Sequence, residues 1–384
     1  MNVYLDNNAT TPLDPRVKKV MIDAFDLYGN PSSIHEMGRR CKFAIDDCRK
    51  EIASFLGAEP SEIIFTSGAT EANNMVLKGV LLNNNLTFEG NHIITTKIEH
   101  SSILNVCKSL ELKGVSVSYL SVDKHGIINI DELEGSICSN TKLISIIYAN
   151  NEIGTIQPLE NISEIAKKHG IPLHTDAVQA IGKIPVNVNA LGIDFMSISG
   201  HKFYAPKGIG VLYNRKKHKL NPLIEGGSHE KGRRAGTENV LGIIGLAEAF
   251  RCLKKDMNDD FYRIKKLRDK LEKGILENIP NVKLNGHPEK RLPGTSNLSF
   301  ITVEGSAILL KLDMQGIYVS TGSACQSELT EPSHVITALG EGIETARSSV
   351  RFSVGRLNTD IEIDYSIKNI IKVVKELRFL TAVI

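Results

Sequence analysis

From about residue 50 to residue 215 the chain alternates short apolar runs with stretches of helical length. Strands are predicted over 62–66, 92–96, 115–120 and 143–148, and two more end at Leu173 and Ile198. Helices are predicted between them over about 70–82, 101–113 and 162–169. Apolar strands of this length, separated by helices, predict an α/β domain with a mostly parallel sheet covered on both faces. In such sheets ligands bind beyond the carboxyl ends of the strands. The polar residues that follow each strand are therefore the ones to read for chemistry.

Past about residue 238 the texture changes. Residues 240–278 read as nearly all helical, with a weak break at 256–260 that predicts a connecting helix pair. Strands follow over 282–284, 297–301, 317–320 and 349–354, and a last helix over about 360–378. Ile363, Ile367, Ile370, Ile371, Val374 and Leu377 form a stripe at helical spacing, which is a core face. A chain of 384 residues allows more than one domain. A formal charge of +2 gives no reason to invoke nucleic acid or an anionic membrane. No stretch approaches the ~20 apolar residues of a spanning helix. The N-terminus lacks a basic region followed by an apolar run, so a cytoplasmic protein is expected. Cysteines 41, 48, 107, 138, 252 and 325 are scattered without a Cys-x-x-Cys, which predicts free thiols and argues against a zinc site. Cys41 and Cys48 share one face of a helix and read as small core residues.

Lys202 lies just past the strand ending at Ile198, in Ser199-Gly200-His201-Lys202, and Asp176 follows the strand ending at Leu173. An amine with an ordinary pKa of roughly 10.4 is a poor nucleophile at neutral pH; burial or Schiff-base formation changes that. A Schiff-base lysine with a separate aspartate for a pyridinium nitrogen is the pattern that pyridoxal 5'-phosphate (PLP) requires. Taken alone, Lys202 also reads as a surface lysine. Ser67-Gly68-Ala69-Thr70-Glu71 passes from a strand through a glycine turn into a helix, whose free amides and positive dipole end suit a phosphate. Ordinary N-capping explains the same residues. The turn is not a Walker loop, and no strand–helix junction carries a dinucleotide fingerprint. His100 emerges after a strand, placed to stack on a pyridine face and exchange protons, or simply to cap a helix. Asn150-Asn151-Glu152 offers two amides for a phenolic oxygen or a carboxylate, or forms a turn. Gln179 shares the loop of Asp176.

Read in order, these motifs resemble a known family. Asp6-Asn7-Asn8-Ala9-Thr10-Thr11-Pro12, Ser67-Gly68-Ala69-Thr70-Glu71, Glu99-His100, Asn150-Asn151-Glu152-Ile153-Gly154, Thr175-Asp176-Ala177-Val178-Gln179, Ser199-Gly200-His201-Lys202, Arg234-Ala235-Gly236-Thr237, Thr321-Gly322-Ser323-Ala324-Cys325 and Arg351-Phe352-Ser353 look like those of cysteine desulfurases of the NifS/IscS type. The resemblance runs from about residue 3 to 378. It implies the fold type I architecture of PLP-dependent transferases. A large domain over residues 13–250 would carry a mostly parallel seven-stranded sheet. A smaller α+β domain would cover 251–384, with residues 1–12 packing on it.

The resemblance also implies roles. Lys202 would hold PLP covalently, Asp176 would pair with its ring nitrogen, Gln179 with its ring hydroxyl, and His100 would stack on the ring. Thr70, Ser199 and His201 would hold the phosphate, with Ala69 and Asn151 among the cofactor contacts, and Thr237 would reach the phosphate of a neighbouring subunit. Asn151 and Arg351 would grip the substrate carboxylate. Lys202 or His100 would move the Cα proton, and Cys325 would accept sulfur from L-cysteine as a persulfide, leaving alanine. The implied partners are a second copy of the chain and an iron–sulfur scaffold or other sulfur acceptor. No metal would belong to the protein itself, although Cys325 would be a transient iron–sulfur ligand shared with a scaffold. The segment Gln326-Ser327-Glu328-Leu329-Thr330 is more acidic than is usual in the family. The chain stops at Ile384, shorter than members whose tail helps dock a scaffold, which leaves that docking open. Two further readings stay in play: another fold type I enzyme, such as a selenocysteine lyase or aminotransferase, or a non-catalytic sulfur-carrier or scaffold subunit.

Overall fold

The computed structural model describes residues 1–82, 87–322 and 332–383. Along the chain run β1 (Val3–Tyr4), α1 (Pro15–Asp23), α2 (Glu36–Leu56), β2 (Ile63–Thr66), α3 (Ala69–Leu81), β3 (His92–Thr96), α4 (Ser101–Glu111), β4 (Ser116–Leu120), α5 (Ile130–Gly135), β5 (Thr141–Ser145), α6 (Leu159–Lys168), β6 (Leu173–Asp176), β7 (Phe195–Ser199), β8 (Gly210–Asn214), α7 (Val240–Asn278), β9 (Val282–Asn285), β10 (Thr295–Phe300), α8 (Gly305–Asp313), β11 (Ile317–Tyr318), α9 (His334–Ala338), α10 (Ile343–Arg347), β12 (Ser349–Ser353) and α11 (Asp360–Val383).

The large sheet has seven strands in the order β2-β8-β7-β6-β5-β3-β4. β7, β6, β5, β3 and β4 pair in parallel, whereas β8 runs antiparallel to both β7 and β2. Every residue of β2, β3 and β7 is buried, as expected for strands covered on both faces. Alternate side chains feed two different cores. Phe195 packs with Ile64, Ile93 and Leu212 beneath α3 and α4. Met196 and Ile198 pack with Leu246 and Phe250 on the other face. The mostly parallel α/β sheet expected from the strand–helix alternation is thus present, with the seven strands that the resemblance implies and β8 added to the six read from the sequence, and its carboxyl edge gathers the ends of β2, β3, β5, β6 and β7.

A second core surrounds the antiparallel sheet β12-β10-β9 and the parallel pair β1-β11. Val3 and Leu5 of the N-terminal segment lie in it with Leu298, Phe352 and Ile370. Helix α7 serves both cores, with Ile243, Leu246 and Phe250 in the first and Leu267, Leu271 and Ile275 in the second. It is one continuous helix of 39 residues, so the expected break at 256–260 is absent. The weak helix formers there cost only tenths of a kcal/mol each, and Arg16 and Arg356 bind Asp256 and Asp260 from outside. Strand ends also shift. β5 stops at Ser145, and β6 begins at Leu173 and carries Asp176 as its last residue. The last helix covers the expected span with Ile363, Ile370 and Val374 buried. Cys41 and Cys48 are buried in α2, and the five described cysteines are free thiols. No helix among the described residues is long and apolar enough to cross a membrane.

Candidate active site

A cavity of about 560 Å³ opens at the carboxyl edge of the large sheet. Ala69, Thr70, His100, Asn151, Asp176, Gln179, Ser199, His201, Lys202 and Arg351 all line it. Each follows or ends a strand, apart from Arg351, which reaches in from β12. Thr237 is exposed and lies outside the lining. Cys325 lies outside the described residues, but Gly322 and Ser333 on either side of its segment line the cavity.

Lys202 ends the short turn that follows β7. Its Nζ donates to the carbonyls of Asn8 at 2.9 Å and Ala9 at 2.7 Å, which bend over it from the N-terminal segment. Asp176 is buried. One carboxylate oxygen accepts the Val178 amide at 3.0 Å and the other accepts Asn73 Nδ2 at 2.8 Å. Asn73 Nδ2 also donates to Ser102 Oγ at 2.8 Å, and Ser102 Oγ meets His100 Nδ1 at 2.8 Å. A hydrogen-bonded chain therefore joins Asp176 to His100 through two residues, Asn73 and Ser102, that the sequence reading did not single out. One signal was available for Asn73: it is a polar residue on the face of α3 that buries Ala69, Ala72 and Val76.

His100 caps α4, its Nδ1 accepting the Ser102 amide at 3.1 Å. The capping reading is realised, and the residue also lines the cavity. With Nδ1 held as an acceptor, the ring's proton in the neutral form sits on Nε2. Burial lowers the His100 pKa below the ordinary value; the Asp176 charge opposes this, and Lys202 and His334 add to it. His201 is pushed down to about 4 by burial and by the charges of Lys202 and Lys207, so it is neutral at physiological pH.

Of the two amides at 150 and 151, Asn150 is the turn former. Its Oδ1 accepts the amides of Glu152 and Ile153, and its Nδ2 holds the Ile98 carbonyl. That arrangement leaves Asn151 at the cavity. Arg351 is 3% exposed and donates to the Asn151 carbonyl at 3.0 Å and to Asp6 at 2.8 Å. Its Nε is buried without a partner among the described residues. A buried guanidinium with a donor left over has capacity for a further acceptor.

The donor set also fits PLP. An amine and a buried carboxylate stand at neighbouring strand ends, as a Schiff base and a pyridinium nitrogen need. The 13-residue α3 opens at Ala69, and its first residues line the cavity together with Ser199, His201 and Lys207. Gly68 makes the turn before it at φ +157°, and a Cβ on Gly210 of the adjacent strand would run into Gly68. Glu71 caps the same turn by accepting the Ser67 amide, and Arg234 neutralises it at 2.8 Å.

A half-buried lysine and a buried aspartate at adjacent strand ends, with the N-terminus of α3 lining the same cavity, define an α/β enzyme of the fold type I PLP class. Comparison with known proteins agrees. The profile of the family described as Aminotransferase class-V matches residues 3–365. The chain is 48% identical to "Cysteine desulfurase IscS" of Dictyoglomus turgidum, over 98% of this chain and 95% of that one. It is 49% identical to "Cysteine desulfurase IscS" of Methanosarcina thermophila, over 98% and 93%. Among solved structures, "NIFS-LIKE PROTEIN" superposes with a TM-score of 0.91 at 40% identity, covering 98% of this chain and 100% of that one. "SspA in complex with cysteine" superposes with a TM-score of 0.82 at 36% identity, covering 93% and 100%. The chain belongs to the class-V aminotransferase family, among its cysteine desulfurases, whose members depend on PLP.

Proposed function

We propose that the protein is a PLP-dependent L-cysteine desulfurase that converts L-cysteine to L-alanine and passes the sulfur to Cys325. One observation carries this reading: Lys202, Asp176 and the partly unpartnered Arg351 converge on a single cavity. Relatives named cysteine desulfurase and a neighbouring structure holding cysteine support it. They do not favour an aminotransferase or selenocysteine lyase.

Lys202, Asp176, Gln179, His100, Ala69, Thr70, Ser199 and His201 would hold PLP. When bound there it supplies an electron sink for charge developing at the substrate's Cα. Arg351 and Asn151 bind and orient the substrate carboxylate. Lys202 moves the Cα proton, with His100 Nε2 as the second proton-carrying group. Asp176, fixed by Asn73 and Val178, would place its carboxylate against the ring nitrogen. The Cys325 thiolate attacks the substrate sulfur, so that an S–S bond forms as the C–S bond breaks.

The same reading divides the chain at about residue 250, inside α7, into a large domain over 13–250 and a small one over 251–384. The packing of Val3 and Leu5 supports placing residues 1–12 with the small one. A homodimer, in which Thr237 serves the neighbouring site, is supported by the exposed apolar side chains of Phe25, Tyr28, Ile34 and Phe43. A cytoplasmic iron–sulfur scaffold or other sulfur-acceptor protein completes the reading as partner.

Mass spectrometry after incubation with L-cysteine tests it. The wild type gains sulfur at Cys325 and releases alanine. Cys325→Ala keeps its PLP absorbance but gains no sulfur, and Lys202→Ala loses the Schiff-base absorbance. Sulfur mapped to another cysteine would refute the assignment.

A further inference from the structure

Lys183 is a partly buried amine that the mechanism above does not use. It stands four residues after Gln179, behind the cavity wall. Its Nζ donates to Gln179 Oε1 and, at 2.9 Å, to Asn8 Oδ1. Both of these partners are neutral amide oxygens. Asp260 lines the same small cavity behind the site, but its carboxylate is taken by Arg356 and Arg263. Lys202 and Arg351 are the charges that act on Lys183. Together with burial, the largest cause, they push its pKa well below the ordinary lysine range.

This contact decides how Gln179 is turned. A lysine amine presents hydrogens to both of its partners, so the Gln179 oxygen faces Lys183. The Gln179 nitrogen then faces the Asn8 carbonyl, to which it donates at 2.9 Å. An amide nitrogen carries two hydrogens. Among the described residues the second has no partner, and it sits on a side chain that lines the main cavity.

We propose that Lys183 is a positioning residue for bound PLP: by holding Gln179 Oε1 it makes that amide present an N–H to the cofactor's phenolic oxygen. The proposal rests on the PLP reading of the site. Were the amide free to flip, its oxygen would face the phenolate and repel it.

The test compares wild type with Lys183→Gln and Lys183→Arg. Bound PLP is followed by pH titration of the visible absorbance of the holoenzyme, and its affinity by titrating the apoenzyme with PLP. Lys183→Gln is expected to raise the midpoint of the spectral titration by about one pH unit and to weaken PLP binding about tenfold. Lys183→Arg, which keeps the donors, is expected to restore both towards wild type. In a Gln179→Leu background, Lys183→Gln is expected to add little further shift. A wild-type midpoint and affinity in Lys183→Gln overturn the proposal, and so does a full additional shift in the Gln179→Leu background. A wild-type protein that binds no PLP overturns the functional reading, and this proposal with it.

Discussion

Asn73 donates its side-chain amide to Asp176 across 2.8 Å, joining the middle of α3 to the end of β6 over 103 positions of sequence. The same nitrogen donates to Ser102, so one side chain orients both the carboxylate and the serine beneath His100. Lys202 and Asp176 line the same cavity, and this connection fixes where Asp176 points.

Asn73→Leu removes both donations and leaves a buried carboxylate with one fewer donor. A hydrogen bond to a charged group contributes ~1.5–3 kcal/mol. Urea unfolding of the apoprotein is expected to show a loss of about that size, and PLP affinity is expected to fall with it. Unchanged affinity would show that Asp176 is held adequately by Val178 alone.

Glu99 carries a pH dependence of defined sign. Burial pushes its pKa up to about 8, against the donations of Ile147 and Thr96, and the Asp176 charge adds to the rise. One oxygen, Oε2, is buried without a partner among the described residues. The folded protein therefore keeps a proton that the unfolded chain gives up near pH 4.3, and stability falls as pH climbs from there towards 8. Glu99→Gln keeps an acceptor for Ile147 and Thr96 and carries no charge. It is expected to match wild type near pH 4.5 and to exceed it at pH 8 by a few kcal/mol, on the order set by proton linkage. Parallel urea-denaturation profiles against pH would contradict this.

The chemistry was legible wherever a polar residue directly follows a strand. Lys202, Asp176, His100 and Asn151 could be read because a parallel sheet brings strand ends to one edge. Residues that act through a partner distant in sequence were not legible. Neither Asn73 nor Lys183 follows a strand directly, and beyond the place of Asn73 on the buried face of α3 nothing in the local sequence marks either. The roles of Asn8 exist only once β7 and the N-terminal segment have met. β8 was not among the strands read from the sequence, and its antiparallel direction was hidden for a related reason: local pattern gives a strand's burial but not its neighbour. The continuity of α7 was missed because ion pairs from Arg16 and Arg356 offset a weak local propensity.

Arg351 should not tolerate a lysine. Its fork holds the Asn151 carbonyl and Asp6 at once, with Nε to spare, and an ammonium cannot present that planar pair of donors to a carboxylate. Arg351→Lys is expected to raise KM for L-cysteine about 10- to 100-fold, equivalent to the loss of one charge-assisted bidentate contact, with PLP absorbance unchanged. An unchanged KM would move the carboxylate site elsewhere in the cavity.

Asn8 ties the N-terminal segment to both sheets. Its carbonyl accepts Lys202 and Gln179, and its Oδ1 accepts Lys183. Its Nδ2 donates to the Asn151 carbonyl at 3.1 Å and to Thr295 Oγ1 at 2.9 Å on β10. Asn8→Ala keeps the carbonyl but removes the side-chain links and leaves Lys183 one acceptor short. Urea unfolding is expected to show a loss of about 2–3 kcal/mol, the sum expected for buried hydrogen bonds. Because Thr295 is one of the partners, Thr295→Val and Asn8→Ala should not add. The double variant is expected to fall short of the summed losses by about 1 kcal/mol, as coupled neighbours do. Strict additivity would mean that the 2.9 Å contact between Asn8 and Thr295 contributes nothing to joining the N-terminal segment to the small sheet.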